Sequence, residues 1–384
     1  MVALLCRWAE IGSGSGDLPG LSRMAGEISA ALRALGARVE AVAPPGAAPG
    51  LPALGGTLLA LKRPEAPLRV LLGIHMDTVF GPDHPFRRVE RLDGATLRGP
   101  GVADAKGGLV VLLTALEAFE RSPWAEALGW EVIVNSDEEI GSPGSRPFFA
   151  QAARRCRVGL LFEPAFVDGA LVSARKGSGN FTATVQGRTA HAGRNPEEGR
   201  NAIVALSALI LRLVELHRPG IFVNPGEIEG GTASNVVPDL ARCRFNVRVE
   251  RPEEQAEAEA FVAAAAAELS RDGISVDIRG EFSRPPKPLE PSTELLLSQL
   301  AGCAADLGFE LTWRPSGGAS DGNLLAAAGL PTVDSLGPRG AELHSEREFI
   351  VLESLAERAK LTALFLMKLA AGRVAPAGGE ERRT

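Results

Sequence analysis

The segment Leu71-Leu72-Gly73-Ile74-His75-Met76-Asp77-Thr78-Val79 constrains this chain more than any other. Its apolar run reads as a buried strand of an α/β sheet. Side chains two apart on a strand share a face. His75 and Asp77 therefore project together from the strand's C-terminal end, where open α/β sheets build their sites. A carboxylate beside an imidazole fixes its tautomer and raises its basicity, which a metal-ligating histidine needs. His-x-Asp alone also occurs by chance, so the rest of the chain decides.

Four further segments bear on it. Gly99-Pro100-Gly101-Val102-Ala103-Asp104-Ala105-Lys106-Gly107-Gly108 precedes a helical run from Leu109 to Phe119. The glycines permit a tight bend that carries Asp104 to the helix start, where it either bridges cations or serves as an ordinary N-cap. Trp130 to Asn135 is an apolar strand running into Asp137-Glu138-Glu139, and Val158 to Phe162 is another, ending at Glu163. Acids crowded at strand ends repel unless cations neutralise them; a solvated acidic loop is the simpler alternative for such a run. His344, in Ala341-Glu342-Leu343-His344-Ser345, comes far later. Two imidazoles and several carboxylates, mostly after apolar strands, suit a pair of Zn²⁺-like ions.

In this order, and with Gly187-Arg188-Thr189-Ala190-His191-Ala192-Gly193 between Glu163 and His344, the motifs resemble those of the dinuclear zinc hydrolases. That family includes glutamate carboxypeptidase, acetylornithine deacetylase, succinyl-diaminopimelate desuccinylase and peptidase T-like enzymes. The resemblance covers nearly the whole chain and leans toward glutamate carboxypeptidase. It implies that His75 and Glu163 hold one zinc, that Glu139 and His344 hold the other, and that Asp104 bridges them. Co²⁺ or Mn²⁺ would also suit these ligands. Asp77 would orient His75. Glu138 resembles the general base that takes a proton from the attacking water and passes it to the leaving amine. His191 resembles the histidine that reaches a partner subunit's active site and stabilises the oxyanion there. Asn235, Lys176, Arg284, Gly317 and Gly318 match substrate-binding positions, the two cations suiting a substrate carboxylate. A turn-forming asparagine and ordinary hinge charges are the rival readings for Asn235, Lys176 and Arg284.

The texture of the chain agrees with two domains, as 384 residues suggest. Strands alternate with helices up to Glu163, the mark of a mixed, mostly parallel sheet with helices on both faces. A helix spans residues 20–35 with Gly36 at its C′ position, and a Pro/Gly/Ala-rich loop follows from Pro44 to Pro52. From about residue 176 the order becomes β-α-β-β-α-β, a ferredoxin-like unit. Its strands read near 181–185, 221–229, 239–249 and 274–278, with a helix at about 252–270. The expected division is a discontinuous catalytic domain, 1–175 and 285–384, with an inserted lid and dimerisation domain, 176–284. The later stretch reads as a helix near 292–308, a strand from Thr332 to Leu336, a helix from Val351 to Ala371 and a polar tail from Val374.

A net charge of −6 with no long basic run argues against a nucleic-acid partner. No apolar run reaches membrane length, and Met1 to Glu10 lacks the apolar core of a secretory signal. The scattered Cys6, Cys156, Cys243 and Cys303 show no disulfide framework or zinc-finger spacing, as expected of a reduced, cytoplasmic chain. The expected activity is therefore hydrolysis of a small peptide, releasing its C-terminal residue, or of an N-acyl amino acid, by a homodimer. A non-catalytic metal- or metabolite-binding relative is the remote alternative.

Overall fold

The computed structural model describes residues 1–44 and 53–376. The loop read at Pro44–Pro52 falls, beyond Pro44, outside the described residues, as does the tail beyond residue 376. Two compact units are present. One comprises Met1–Ala174, Leu289–Ser316 and Ser320–Thr384; the other comprises Arg175–Pro288 with Gly317–Ala319.

The first unit is built on a six-stranded sheet in the order Arg38–Val42, Thr57–Lys62, Gly129–Asn135, Arg69–His75, Val158–Leu161, Thr332–Val333. Thr57–Lys62 pairs antiparallel with both its neighbours, and the remaining pairs are parallel. Alternation along Arg69–His75 divides its side chains between two cores. Val70, Leu72 and Ile74 pack with residues of helices Lys106–Glu120 and Glu353–Ala370, among them Leu109, Leu116 and Phe365. Leu71 packs on the other face with Ile133, Leu161, Phe149 and Leu325. Each fully buried side chain of this size contributes about 1.5–3 kcal/mol of transfer free energy, so coverage of both faces holds these short strands in place.

Because three central strands are parallel, their C-terminal ends share one edge. His75 ends one, the acids after Asn135 follow another, and Glu163 follows the third. Helix Lys106–Glu120 starts hard against this edge. A Cβ on Gly108 would collide with the Phe162 carbonyl, and one on Gly107 with the Val102 carbonyl. Backbone contact at the helix start is thus the reason for the paired glycines.

The strand expected from Thr332 to Leu336 is only Thr332–Val333. The Asp334 carboxylate accepts hydrogen bonds from Ser335 N and Ser320 Oγ, and Ser335 turns to φ 66°. Those local bonds replace the ladder. The last helix starts at Glu353 because Phe349–Val351 is a strand. That strand lies in a small sheet, ordered Gly340–Ala341, Phe349–Val351, Thr96–Arg98, Glu90–Arg91, which the sequence pattern does not announce.

The second unit is a four-stranded antiparallel sheet in the order Ile221–Gly230, Leu240–Val249, Gly177–Gln186, Ser275–Arg284, with helices Ala202–Val214 and Pro252–Leu269. This is the ferredoxin-like order. Period-two alternation puts Phe181, Ala183 and Val185 beside Ala241, Cys243, Phe245 and Val247 in one core, closed by Leu206, Leu209 and Leu213. Phe181 stacks on Phe245 with centroids 5.3 Å apart.

The four cysteines are all free thiols, three of them buried. No helix among the described residues is long and apolar enough to cross a membrane.

Candidate metal centre and active site

In the first unit the shared sheet edge gathers seven residues singled out in the sequence. His75 Nε2 lies 2.9 Å from Asp104 Oδ1 and 3.8 Å from Glu163 Oε2. His344 Nε2 lies 3.3 Å from the other Asp104 oxygen and 3.2 Å from Glu139 Oε2. Asp104 thus faces one imidazole with each oxygen. It is no N-cap: Ala105 holds that position of helix Lys106–Glu120, without a side-chain cap. His75, Asp104 and Glu139 each offer a donor atom within 4.8 Å of the others.

Asp77 is fully buried and ties three segments together. Its backbone oxygen lies 3.0 Å from His75 Nδ1 and its Oδ1 lies 3.3 Å from the same nitrogen. The carboxylate accepts hydrogen bonds from Glu138 N and Glu139 N, both 3.2 Å, and from Ser15 Oγ at 2.8 Å. Glu138 and Glu139 form the start of a short 3₁₀ turn, Glu138–Ile140, ended by Gly141 at φ 94°. Asp137, first in the acid run, turns away. It accepts from Gly144 N, Ser145 N and Ser145 Oγ and shapes the following loop.

The cluster carries more carboxylate than it can ionise comfortably without cations. Burial and the Asp104 charge push Glu139 up to about 8. Burial likewise raises Glu163, helped by Asp104 and Asp334. Burial also opposes ionisation of Asp104, yet the hydrogen bonds from His344 and His75 hold it well below the usual carboxylate range. Contacts with Asp104 and Glu139 raise His344 to about 10. Burial disfavours a charged His75, but the Glu163 charge and the Asp104 and Asp77 contacts carry it well above the ordinary imidazole value. Glu139 Oε1 and Glu163 Oε1 are buried with no hydrogen-bond partner. Orphaned buried carboxylate oxygens are costly, and a metal ion bound there would satisfy them. Imidazoles and carboxylates together are the donor set of Zn²⁺ sites.

The other six sequence candidates fall in the second unit. His191 and Asn235 are exposed neighbours: Ala190–His191 pairs with Val236–Val237, and Asn235 O accepts from Ala192 N at 3.0 Å. Lys176 Nζ lies 3.0 Å from Glu250 Oε1. Arg284 is 3% exposed and sits opposite Ser178 in the sheet. Gly317 and Gly318 are exposed, and Gly318 O accepts from Arg175 Nη1 at 3.1 Å.

Sequence reading missed Glu348. Its carboxylate, 1% exposed, accepts from Gly101 N, Ala103 N and Asp104 N at 3.2, 2.8 and 3.0 Å. Burial lifts its pKa to about 7 against those three donors. The only available signal was an acid four residues after His344, at the start of an apolar triplet.

The chain matches Peptidase family M20/M25/M40 over residues 71–368. It is 27% identical to carboxypeptidase G2 of a Pseudomonas species over 378 residues, 97% of this chain and 90% of that protein. It is 30% identical to a succinyl-diaminopimelate desuccinylase of Nitrosospira multiformis over 336 residues, 81% of this chain and 86% of that one. Its fold is similar to that of a Bacillus subtilis protein described as a dinuclear metal binding peptidase of the M20 family. The TM-score is 0.70 at 16% identity, covering 96% of this chain and 97% of that one. These similarities define a metal-dependent peptidase or amidohydrolase. The chain belongs to peptidase family M20/M25/M40.

Proposed function

We propose that the chain is a dinuclear zinc carboxypeptidase that releases a C-terminal amino acid. The observation that carries this reading is Asp104, one carboxylate shared by two imidazoles, each with a further acid beside it. His75 and Glu163 would hold one ion, His344 and Glu139 the other, and Asp104 both. Such ions polarise the scissile carbonyl and lower the pKa of the attacking water. Glu138 accepts that water's proton and returns it to the departing amine. Its neighbour Glu139 is committed to metal, which leaves the two adjacent acids distinct jobs. The second unit is read as the lid, with Lys176 and Arg284 taking the substrate carboxylate beside Gly317 and Gly318, and Asn235 and His191 contacting the scissile group.

Similarity to carboxypeptidase G2 along 97% of the chain supports this branch. The desuccinylase similarity favours a second reading, hydrolysis of an N-acyl amino acid. The two are separated by amine release from a panel of C-terminal-glutamate dipeptides, other dipeptides and N-acyl amino acids. Chelator-sensitive release from dipeptides is the expected outcome. Release from N-acyl amino acids alone would replace the carboxypeptidase reading with the deacylase one.

The lid is also read as a dimerisation surface. Helix Ala202–Val214 leaves Val204 and Leu211 64% and 71% exposed. The edge strand Ile221–Gly230 exposes Phe222 and Ile228. An apolar helix stripe beside an unpaired strand edge suits a second copy of the chain. Sedimentation should give a dimer, and Leu211→Glu a monomer of much reduced turnover. A fully active wild-type monomer would remove both the dimer and any role for His191 across it.

A further inference from the structure

We propose that Glu348 is a positioning residue that sets Asp104 and His344 relative to one another. The inference rests on reading those two residues as metal ligands.

Asp104 and His344 are separated by most of the chain and come from different kinds of segment. Asp104 ends the Gly-rich loop, which turns at Gly101, φ 70°. His344 sits on the link between strands Gly340–Ala341 and Phe349–Val351, where Glu342 and His344 both hold positive φ, 59° and 62°. Positive φ at two such residues persists only where surrounding structure enforces it. Local bonds do part of this: Ser345 Oγ donates to Glu342 O at 2.7 Å, and Glu348 N donates to Ser345 O at 3.1 Å. Those bonds fix the link internally. They do not fix it against Asp104.

Glu348 does. It closes the His344 link at one end, and its side chain takes three donors of the loop, Gly101 N, Ala103 N and the amide of Asp104 itself. Its own carbonyl accepts from Gly99 N at 3.2 Å, and the next residue, Phe349, pairs with Arg98. The loop is therefore gripped from both sides by the segment that carries His344. Three N–H donors on two oxygens need an acceptor-only group. A buried carboxylate is tolerated only when so satisfied. Glutamine would keep Oε1 for Ala103 and Asp104 but turn its NH₂ toward the Gly101 N–H.

The test is a Co²⁺ titration of wild type, Glu348→Gln and Glu348→Ala, followed by visible absorption, with melting of each metal-free protein in parallel. Loss of a group that orients ligands typically weakens metal affinity about 10–100-fold. We expect about tenfold weaker binding of one Co²⁺ in Glu348→Gln, a larger loss in Glu348→Ala, and a changed Co²⁺ spectrum in both. kcat should fall while KM stays within about twofold, since no substrate contact is removed. A lower melting temperature with wild-type Co²⁺ affinities and spectrum in both variants would overturn the proposal, leaving Glu348 a scaffold residue. Failure of wild type to take up Co²⁺ would instead overturn the metal-centre reading, and this inference with it.

Discussion

Glu138→Gln will lower kcat by about 10³-fold or more while leaving fold and metal content intact. General acid–base groups typically supply about 10²–10⁴-fold, and in the proposed mechanism one group serves both the attack of water and the departure of the amine. A 10³-fold loss corresponds to about 4 kcal/mol of transition-state stabilisation. The backbone geometry explains why the effect should be confined to turnover. The turn that carries Glu138 is held by its own amide and that of Glu139, both donating to Asp77, and by Gly141 at its end. None of these bonds involves the Glu138 carboxylate. Glutamine preserves volume and polarity but neither accepts nor returns the proton. The measurement is kcat beside metal content by elemental analysis and a melting curve. Turnover at the wild-type rate would show that another group is the base.

Much of this arrangement is legible in the sequence because it depends on local periodicity. The apolar runs before His75, Asp137 and Glu163 are long enough to declare buried strands, and a parallel sheet necessarily brings their ends to one edge. The second unit is legible for the same reason: Phe181 to Val185 and Ala241 to Val249 alternate with period two. What stays hidden depends on pairing between short, charged segments distant in the chain. Glu90–Arg91 and Thr96–Arg98 have no apolar pattern, yet they dock the His344 link onto the Asp104 loop. Glu348 is invisible for that reason, since its partners are backbone amides that no side-chain motif records. The acid run shows a different limit. Composition groups Asp137 with Glu138 and Glu139, but Asp137 has closer partners in the loop it precedes. Asp77 reads from spacing as the partner of His75, whereas its carboxylate also anchors the turn bearing Glu138, a bond to backbone that spacing cannot reveal.

Asp104→Asn should do what Glu138→Gln does not, and lower metal retention together with activity. In the present geometry the two Asp104 oxygens face different histidines, at 2.9 and 3.3 Å. An amide keeps the size but offers one oxygen, and its NH₂ is no ligand. In the proposed dinuclear centre one ion would therefore lose a protein ligand outright, and the other would lose the negative charge that offsets two adjacent cations. Metal content should fall from two ions per chain to one or fewer. Turnover should drop by about 10³-fold or more, because the Lewis acid and the activated water disappear together. Melting supplies an independent readout. A ligand that binds only the folded state raises stability by RT ln(1 + [L]/Kd), about 2.7 kcal/mol at a hundredfold excess over Kd. Wild type should therefore melt higher when zinc is added, and the variant should gain little. The control is circular dichroism of the metal-free variant, which should match the metal-free wild type. Retention of two ions with an undiminished zinc-induced rise in melting temperature would show that Asp104 does not bridge. The pair of variants then separates the two proposed functions of the site: proton transfer by Glu138 in a centre that should assemble without its side chain, and assembly itself, which should require Asp104.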